Sequence, residues 1–556
     1  MSLPIFATIL AEESSVIQTE LGLVILLFIA ALVAIFVRQF RHIPYTTALV
    51  IVGLVLALFP NFLQLDFSSD VILAVLVPPL LFEATLHIPW KKLKSDLGII
   101  LLLAVGGTFL GTLLVGGVVM ATLGIPLAAA MAFGALISAT DPVAVISFFR
   151  SLGVSKRLGI LVEGESLFND GAAIVLFNLA LTAGIIGLDS FGPMQALQEF
   201  LLVSVGGIAI GLILGYIVSV LLLKNLDDHL IETTTTVALA FGAYVIAESF
   251  GKFIGVPGLH FSGILAVVAA GLMVGNIGLE NTSPTTRLTL DNFWEFAAYM
   301  VNSIIFLAIG LEIEIAQLSA FIVPILVAVV TVLVSRGLIM YASTAVFSAL
   351  RPKTKIPTPF RHVMFWGGLR GAISLALALS LDGHIFGADF ALELRVMTFG
   401  VVLFTLLVQG TTIEGLIKRL RLSEKPEKQL ELQRRQAHLY AKRAGKLELD
   451  RLRQDGILYG DMWRAMGQVY DEEISVNKQA LLSHLQTYPE MEQELFLQAR
   501  EDVLKAERRA VADALRRGLI SQQVYAELVE ELNNRLAAVD ILKENRGLDD
   551  DEVQHG

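Results

Sequence analysis

Long runs of apolar residues fill the chain from Leu21 to Leu416, with short polar loops between them. A bilayer core about 30 Å thick needs about 20 apolar residues per helix, so each run predicts a membrane-spanning helix. Thirteen such spans are predicted, at residues 21–37, 44–59, 71–87, 97–120, 125–147, 160–183, 197–223, 232–250, 259–277, 292–310, 319–346, 362–381 and 394–416. The pattern therefore predicts an all-α integral membrane protein.

Charged residues divide the chain into two parts. Residues 1–416 hold 18 Lys and Arg and 26 Asp and Glu, whereas the shorter part, 417–556, holds 23 and 26. A segment this rich in charge is not expected in lipid. We therefore predict a short extracytoplasmic N-terminus at 1–20, a transmembrane domain at 21–416 and a water-soluble tail at 417–556.

The tail pattern predicts helices joined by polar connections. Breaks are expected at Gly456–Gly460 and at Pro489, followed by a further run from Glu490 to Leu536. The sequences around Gly456 and Gly518 look alike, and each is typical of a helix end that turns into a new helix. We interpret the tail as a helical regulatory or assembly domain, and a ligand-sensing domain is the alternative.

The basic residues of the loops predict the orientation. If successive spans alternate in direction, the loops on one side hold fourteen Lys and Arg, and the opposite loops with their span edges hold only Lys252 and Arg395. Lys and Arg concentrate in cytoplasmic loops. The N-terminus is therefore predicted outside and the tail in the cytoplasm. The first ten residues lack the basic start of a cleavable signal peptide.

Composition agrees with a membrane protein and excludes several other classes. Hydrophobic residues make up 55% of the chain and charged residues 17%, and the mean hydropathy is +0.70. The absence of cysteine excludes a disulfide scaffold, a thiolate metal site and cysteine catalysis. The net charge is −11 and no basic block occurs, so a nucleic-acid partner is not expected.

The densest group of polar residues inside a predicted span is Glu165, Ser166, Asn169 and Asp170. Ionisable groups in a bilayer are unfavourable and are functional candidates by default. Ser166 and Asp170 are four residues apart, as are Glu165 and Asn169, so two oxygen-bearing pairs lie on neighbouring faces of one helix. A carboxylate that serves only packing is the alternative, and four polar residues within six positions make it the weaker one.

A second group, Thr140-Asp141-Pro142, lies within the predicted span 125–147. Proline has no N–H and disfavours helix at the residue before it, so this span is expected to unwind near its middle. Non-helical backbone at membrane depth lines a cavity or binds an ion. A merely kinked helix is the alternative.

A third group, Gly367–Gly371, interrupts the span 362–381 and contains Arg370. This span and the span 125–147 run in opposite directions, as an inverted repeat of a secondary transporter would place them, so a binding site is expected where they cross. A charged residue at this depth must be paired. We expect Glu165 to be the partner of Arg370.

Several further polar residues are weaker candidates. Glu83 follows Pro78 and Pro79 in what is expected to be a proline-broken span, and an interfacial carboxylate is its alternative interpretation. For Glu295, Asn302, Glu248 and Arg336, structural pairing is at least as good an explanation as function. His260 is interpreted as an interfacial histidine.

Carboxylate, hydroxyl, amide and carbonyl oxygens are hard ligands, which suit Na⁺, Li⁺, K⁺ or H⁺ rather than a soft metal. Burial favours the protonated form of a carboxylate, so Asp170 is predicted to exchange a proton for a cation. One shared carboxylate couples the two ions by competition.

Two other functions are the alternatives. One is a cation channel without proton coupling. The other is a membrane enzyme such as an intramembrane protease, which needs paired aspartates or a Ser-His dyad, whereas the histidines of this chain lie near span edges.

Taken together, these motifs resemble a known family. Pro-Pro-Leu-Leu-Phe-Glu83-Ala, Ala139-Thr140-Asp141-Pro142, Glu165-Ser166-Leu167-Phe168-Asn169-Asp170-Gly171, Phe261-Ser-Gly-Ile-Leu-Ala-Val and Gly368-Leu369-Arg370-Gly371-Ala372 are similar to motifs of the NhaP/NHE branch of the monovalent cation:proton antiporters. The resemblance covers nearly all of residues 20–416, and the tail does not contribute to it.

The resemblance implies a fold and a site. The fold is of the NhaA type, with thirteen helices, inverted repeats, two crossed discontinuous helices and a homodimer in the lipid of the cell membrane. The cation ligands are Asp170, Ser166, Asp141, the backbone oxygen of Thr140, and Glu83 through water. Supporting roles fall to Asn169, Glu165 and Arg370, the last two as an ion pair.

The same resemblance implies the activity. It is electroneutral exchange of one Na⁺ or Li⁺ for one H⁺, without a cofactor, by an elevator-type movement that serves sodium tolerance and pH homeostasis. Asn169 in place of a second aspartate indicates the electroneutral class. The choice between Na⁺ and K⁺ stays open, because the same ligands accept either ion.

Overall fold

The computed structural model describes residues 24–37, 44–59, 71–187, 191–225, 228–256, 258–279, 284–313, 315–351, 355–381, 383–422 and 427–553, together with 22 and 282. The predicted N-terminal segment 1–20 lies outside these ranges. Within them every regular element is a helix and no β-strand occurs. The predicted all-α class is therefore confirmed.

The apolar runs form helices because a helix satisfies its own backbone hydrogen bonds, which lipid cannot do. Up to residue 422 the α-helices are Val24–Val37, Tyr45–Ala57, Val77–Leu86, Trp90–Leu101, Gly107–Leu123, Leu127–Leu136, Val143–Leu152, Lys156–Ile186, Pro193–Tyr216, His229–Glu248, Phe250–Ile254, Gly263–Met273, Pro284–Glu312, Ile315–Ala320, Ile322–Leu350, Thr358–Trp366, Ala372–Leu379, Gly383–Phe386, Ala388–Phe404 and Gly410–Arg419. Wider π-helical turns adjoin some of them, at Ile72–Leu76, Leu102–Gly106, Ile217–Leu222, Val274–Gly278 and Thr405–Gln409.

In the described ranges, seven helices are long and apolar enough to cross a membrane. Shorter helices, most of them as apolar, account for the remaining predicted spans. Every predicted span is thus helical over most of its described length. The number of helices that cross the membrane remains a prediction.

Two predicted spans are interrupted, as expected. The first consists of Leu127–Leu136 and Val143–Leu152, and the second of Thr358–Trp366 and Ala372–Leu379; we call them the first and second interrupted segments. In the first, Pro142 lies immediately before the second helix, where its missing N–H breaks no helical hydrogen bond. The linkers of both segments need hydrogen-bond partners from the rest of the protein.

The expected break at Pro78 and Pro79 does not occur, and that prediction is wrong. The π-helical turn Ile72–Leu76 leads directly into the α-helix Val77–Leu86, and both prolines lie in the first turn of that helix. Proline is tolerated at the start of an α-helix because an N–H is not required there. The helix therefore continues through Glu83.

The helices Tyr45–Ala57 and Pro284–Glu312 pack backbone to backbone, and we call them the tight pair. A Cβ atom on Gly53 would clash with the backbone of Leu307 and Gly310. Small residues at such a contact allow close van der Waals packing between helices in lipid. The glycines therefore fix how the two helices meet.

The tail forms a compact unit of its own, Lys425–Gly556. Its helices, Glu427–Gln454, Gly460–Thr487, Pro489–Arg516 and Gln522–Val553, pack as two successive hairpins. The first hairpin turns at Gly456 and the second at Gly518, with φ of 73° and 70°, a left-handed conformation that favours glycine after a helix. The predicted breaks at Gly456–Gly460 and Pro489 are confirmed. The run predicted from Glu490 is divided at the second of the two similar sequences.

Candidate functional site

The two interrupted segments cross through their non-helical linkers. The backbone N–H of Asp141 in the first linker donates a hydrogen bond to the carbonyl oxygen of Leu369 in the second, at 2.8 Å. The backbone N–H of Arg370 donates to Oγ1 of Thr405, in the π-helical turn Thr405–Gln409, at 3.1 Å. The predicted crossing of the two segments is therefore present.

Side chains of the second segment satisfy carbonyl groups at the end of the first. Arg370 Nη1 donates to the carbonyl oxygens of Ser138 and Ala139 at 3.1 and 3.2 Å. Ser374 Oγ donates to the carbonyl oxygen of Leu136 at 2.8 Å. The last carbonyls of a helix have no partner within it. These contacts supply the partners that water would supply outside the membrane.

The helix Lys156–Ile186, which we call the site helix, holds the same linker from another direction. Ser166 Oγ donates to the carbonyl oxygen of Thr140. Asn169 makes two bonds to Thr140: its Nδ2 donates to the hydroxyl at 2.7 Å, and its Oδ1 accepts from the backbone N–H at 3.3 Å. Both ends of the Asn169 amide therefore serve to position the linker.

The second linker is held by Arg336, which reaches across from the helix Ile322–Leu350. Its Nη2 and Nε donate to the carbonyl oxygens of Met364 and Phe365 at 2.8 and 3.3 Å, and its Nη1 lies 3.1 Å from Glu165 Oε1. Both partners of this ion pair are largely buried. For Arg336, structural pairing is at least as good an explanation of the sequence as function, and the structure shows this pairing.

The expected ion pair between Glu165 and Arg370 is therefore wrong. Within the described ranges, Glu165 pairs with Arg336, and Arg370 bonds to backbone carbonyls instead. The reason is geometric: the crossing places the Arg370 guanidinium at the exposed carbonyls of the first linker. Arg336 approaches Glu165 from a different helix.

A cavity of about 110 Å³, which we call the front cavity, lies at the crossing. All five residues predicted to bind the cation line it: Asp170, Ser166, Asp141, Thr140 and Glu83. Four carboxyl groups face this one space, because Glu163 lines it as well as Glu83, Asp141 and Asp170. The structure thus brings the predicted residues together, and their role as ligands remains a prediction.

Asp170 carries a free carboxylate oxygen. The residue is 7% exposed, and its Oδ1 accepts no hydrogen bond within the described ranges. Asp141 differs, because its Oδ1 accepts from the backbone N–H of Val143 at 2.9 Å and holds the start of the next helix. A buried oxygen without a partner is unfavourable unless a proton or a cation occupies it.

A smaller cavity of about 40 Å³, the back cavity, lies behind the site helix. Glu165, Asn169 and Arg370 line it together with Arg336. Adjacent residues of one motif therefore face different spaces, Asn169 the back cavity and Asp170 the front cavity. The three residues predicted to support the site lie together, outside the space that the predicted ligands share.

Glu163 and Asn302 line the front cavity but are not among its predicted ligands. Glu163 lies three and seven residues before Ser166 and Asp170, a spacing that places all three on one helix face; that periodicity would have identified it. For Asn302, structural pairing is at least as good an explanation of the sequence as function. In the described ranges its amide makes no hydrogen bond, and it lines the cavity from the helix Pro284–Glu312.

A helical membrane domain with two crossed, interrupted helices and an oxygen-lined cavity at their crossing has the architecture of a secondary transporter. Residues 19–419 match the family described as sodium/hydrogen exchanger, transmembrane. The chain belongs to this family, which confirms the resemblance found in its motifs. It is a multipass membrane protein of a transporter family rather than an enzyme family.

Individual proteins are similar over long stretches. The Na⁺/H⁺ antiporter NhaG of Bacillus atrophaeus is 35% identical over 531 residues, 92% of this chain and 97% of NhaG. The Na⁺/H⁺ antiporter ApNhaP of Aphanothece halophytica is 41% identical over 385 residues, 69% of this chain and 71% of ApNhaP. The NhaG match is longer than the family match, so the similarity reaches into the tail.

A solved structure shares the fold. The sodium proton antiporter MjNhaP1 from Methanocaldococcus jannaschii, determined at pH 8, aligns with a TM-score of 0.61 and 22% identity. The alignment covers 73% of this chain and all of that protein. The likeness supports the antiporter fold of the membrane domain.

Proposed function

We propose that the protein exchanges Na⁺ for H⁺ across the membrane and that the two ions compete for Asp170. The observation that carries this proposal is the buried Asp170 Oδ1, which has no hydrogen-bond partner in the described ranges and lies at a cavity of oxygen ligands. Burial disfavours a bare carboxylate, so the group binds either a proton or a cation. The names of NhaG and ApNhaP support the same activity.

The proposed ligands of the cation are Asp170, Ser166, Asp141, the backbone oxygen of Thr140, and Glu83 through a water molecule. Hard oxygen ligands of this kind bind Na⁺ and Li⁺. The Ser166 hydroxyl uses its hydrogen on Thr140, which leaves its oxygen lone pairs for the ion. Exchange of K⁺ by the same ligands is the second candidate, since K⁺ differs from Na⁺ mainly in size.

The exchange is proposed to be electroneutral, one cation for one proton. Asn169 supports this ratio because its amide is engaged with Thr140 at both ends and carries no titratable group. The proton released by Asp170 then balances the cation it takes up. The movement is proposed to be elevator-like: the crossing and the site helix shift relative to the tight pair and expose Asp170 to each side in turn.

The protein is proposed to lie in the cell membrane as a homodimer, with thirteen spans, the N-terminus outside and a regulatory tail in the cytoplasm. The excess of Lys and Arg in alternate loops supports this orientation. Exchange of this kind serves sodium tolerance and pH homeostasis.

Purified protein in liposomes with an imposed pH gradient tests the activity. Addition of Na⁺, Li⁺, K⁺ and Ca²⁺ in turn, followed by a pH-sensitive dye, is expected to give proton movement with Na⁺ and Li⁺. Asp170→Asn is expected to abolish it, whereas Asp228→Asn, outside the front cavity, is the matched control and leaves it unchanged. Proton movement that survives Asp170→Asn would overturn the mechanism.

A membrane potential imposed on the same liposomes tests the ratio. One-for-one exchange moves no net charge, so its rate is expected to be independent of the potential. Strong voltage dependence would contradict the electroneutral ratio. Cation current without proton movement would favour a channel.

A further inference from the structure

One wall of the front cavity comes from the tight pair. The helix Pro284–Glu312 contributes Asn302 to the lining, whereas the other lining residues come from the helix of Glu83, the site helix and the two interrupted segments. Asn302 therefore reaches the cation site from the tight pair, which does not contain Asp170.

The direction of Asn302 is fixed by its neighbours. The hydroxyl groups of Ser303 and Tyr45 are 2.9 Å apart and share a hydrogen bond, and the Tyr45 ring stacks on Tyr299 with ring centres 5.3 Å apart. The close contact of Gly53 with Gly310 holds the same helix further along. These contacts fix the rotation of the helix, so Asn302 is directed at the cavity by the packing of the tight pair.

The surroundings of Asn302 are apolar along its own helix. Val301, Ile305 and Phe306 are buried at 5, 2 and 1% exposure. The Asn302 amide makes no hydrogen bond within the described ranges and faces the space shared with four carboxyl groups. Asn302 itself is partly buried, and a polar side chain within a membrane-spanning helix is a functional candidate by default. An amide offers a hard oxygen ligand to a cation.

Glu83 and Glu163 both line the front cavity. Glu83 lies near the end of its helix, shortly before the lysines at the start of the helix Trp90–Leu101, and Glu163 lies two turns into the site helix. Under the proposed topology both positions are at the cytoplasmic ends of their helices. The cavity in this structure therefore corresponds to access from the cytoplasm.

We propose that Asn302 determines cation affinity and selectivity on the cytoplasmic side only, through its amide oxygen as a further ligand of the bound cation. This inference rests on the proposed exchange and on its movement. When the crossing and the site helix shift, Asp170, Ser166 and Thr140 move with the ion, because Asp170 and Ser166 lie on the site helix and Ser166 is bonded to Thr140. Asn302 stays with the tight pair, so its contact with the ion ends.

The test measures the KM for Na⁺ at each face, in everted and in right-side-out membrane vesicles. Asn302→Ala is expected to raise the KM at the cytoplasmic face about three- to tenfold, the effect of one neutral polar contact. The KM at the external face and the maximal rate are expected to stay within about twofold. The cytoplasmic preference for Li⁺ over Na⁺ is expected to change as well, and the external preference to stay the same.

Two variants keep the test decisive. Asn302→Asp retains an oxygen ligand and adds charge, so it is expected to lower the cytoplasmic KM without changing the external one; it carries the test if Asn302→Ala does not fold. Asn292→Ala is the matched control, because it removes the same side chain from an exposed position of the same helix that does not line the cavity, and no difference between faces is expected from it.

An unchanged cytoplasmic KM in Asn302→Ala, or equal changes at both faces, would overturn the inference. These results are distinguishable from failure of the proposed function. If wild-type protein shows no Na⁺/H⁺ exchange, or Asp170→Asn retains it, the exchange proposal fails. If both behave as proposed and Asn302→Ala has no sided effect, the role of Asn302 alone is refuted.

Discussion

Glu165 and Arg336 form a buried ion pair, with Oε1 and Nη1 3.1 Å apart. The same Arg336 bonds to carbonyl oxygens at the end of the helix Thr358–Trp366, and Arg370 bonds to those that follow the helix Leu127–Leu136. Each arginine therefore donates hydrogen bonds to the backbone carbonyls at the linker of one interrupted segment. Glu165 compensates the charge of Arg336, and through it the site helix is tied to the second linker.

Removal of Arg336 is expected to destabilise the membrane domain strongly. Arg336→Ala leaves Glu165 buried without its partner, and the loss of one partner of a buried ion pair costs about 3–5 kcal/mol. Thermal unfolding of the detergent-solubilised protein measures the change. Double-mutant cycles are expected to give a large coupling between Glu165 and Arg336 and a small one between Glu165 and Arg370. Equal couplings would contradict the pairing.

Gly371→Ala is expected to abolish exchange while the protein still assembles in the membrane. A Cβ atom at this position would collide with the carboxylate of Asp141 and push the two linkers apart. Gly159→Ala is the matched control on the site helix, because a Cβ there meets no atom within 4 Å; alanine in an exposed helix is neutral or slightly stabilising. Exchange assays on liposomes compare the two. Full activity of Gly371→Ala would show that the linkers do not need this close contact.

Asp228 is expected to give the His229–Glu248 helix a pH-dependent stability. Its Oδ1 accepts from the backbone N–H groups of Leu230 and Ile231 at 2.8 and 3.1 Å, and these bonds lower the pKa of its carboxyl group below the usual value. Because this pKa is lower in the folded state than in the unfolded state, the stabilisation by Asp228 is fully present above the unfolded-state pKa. It is lost as the pH falls through the folded-state pKa.

Asp228→Ala is therefore expected to unfold at a lower temperature than the wild type at neutral pH. At strongly acid pH the two unfolding temperatures are expected to be equal. Asp228→Asn keeps an acceptor oxygen at the same place, so it retains most of the cap. If the difference in unfolding temperature between the wild type and Asp228→Ala grew as the pH fell, the predicted direction of the pH dependence would be wrong.

Truncation after Glu424 is expected to leave exchange intact and to change its activation by pH or the assembly of the protein. The tail packs as a unit of its own with its own buried leucines, Leu504 and Leu532 among them. Exchange rates against pH in liposomes, with the full chain as control, measure the effect. Complete loss of exchange in a truncation that still folds would show that the tail is part of the transport machinery.

Much of the fold was accessible from the sequence because it depends on neighbours along the chain. Apolar runs gave the helices, and Pro142 and the glycines of 367–371 gave the two interruptions. Ser166 and Asp170 share a helix face because they are four residues apart, and that relationship holds in any structure that keeps the helix. The prolines 78 and 79 do not by themselves predict a break, because the same residues that break a helix in its middle begin one at its first turn.

The sequence by itself determined the class of protein, the interrupted spans and the group of residues around Asp170, because hydrophobicity and helix spacing are local properties. Only the tertiary structure decided which arginine meets Glu165, which neighbour of the motif faces the front cavity, and that Asn302 lines the same cavity. Those partners come from helices far apart in the chain. Their meeting depends on how helices cross, which the spacing within any one helix does not specify.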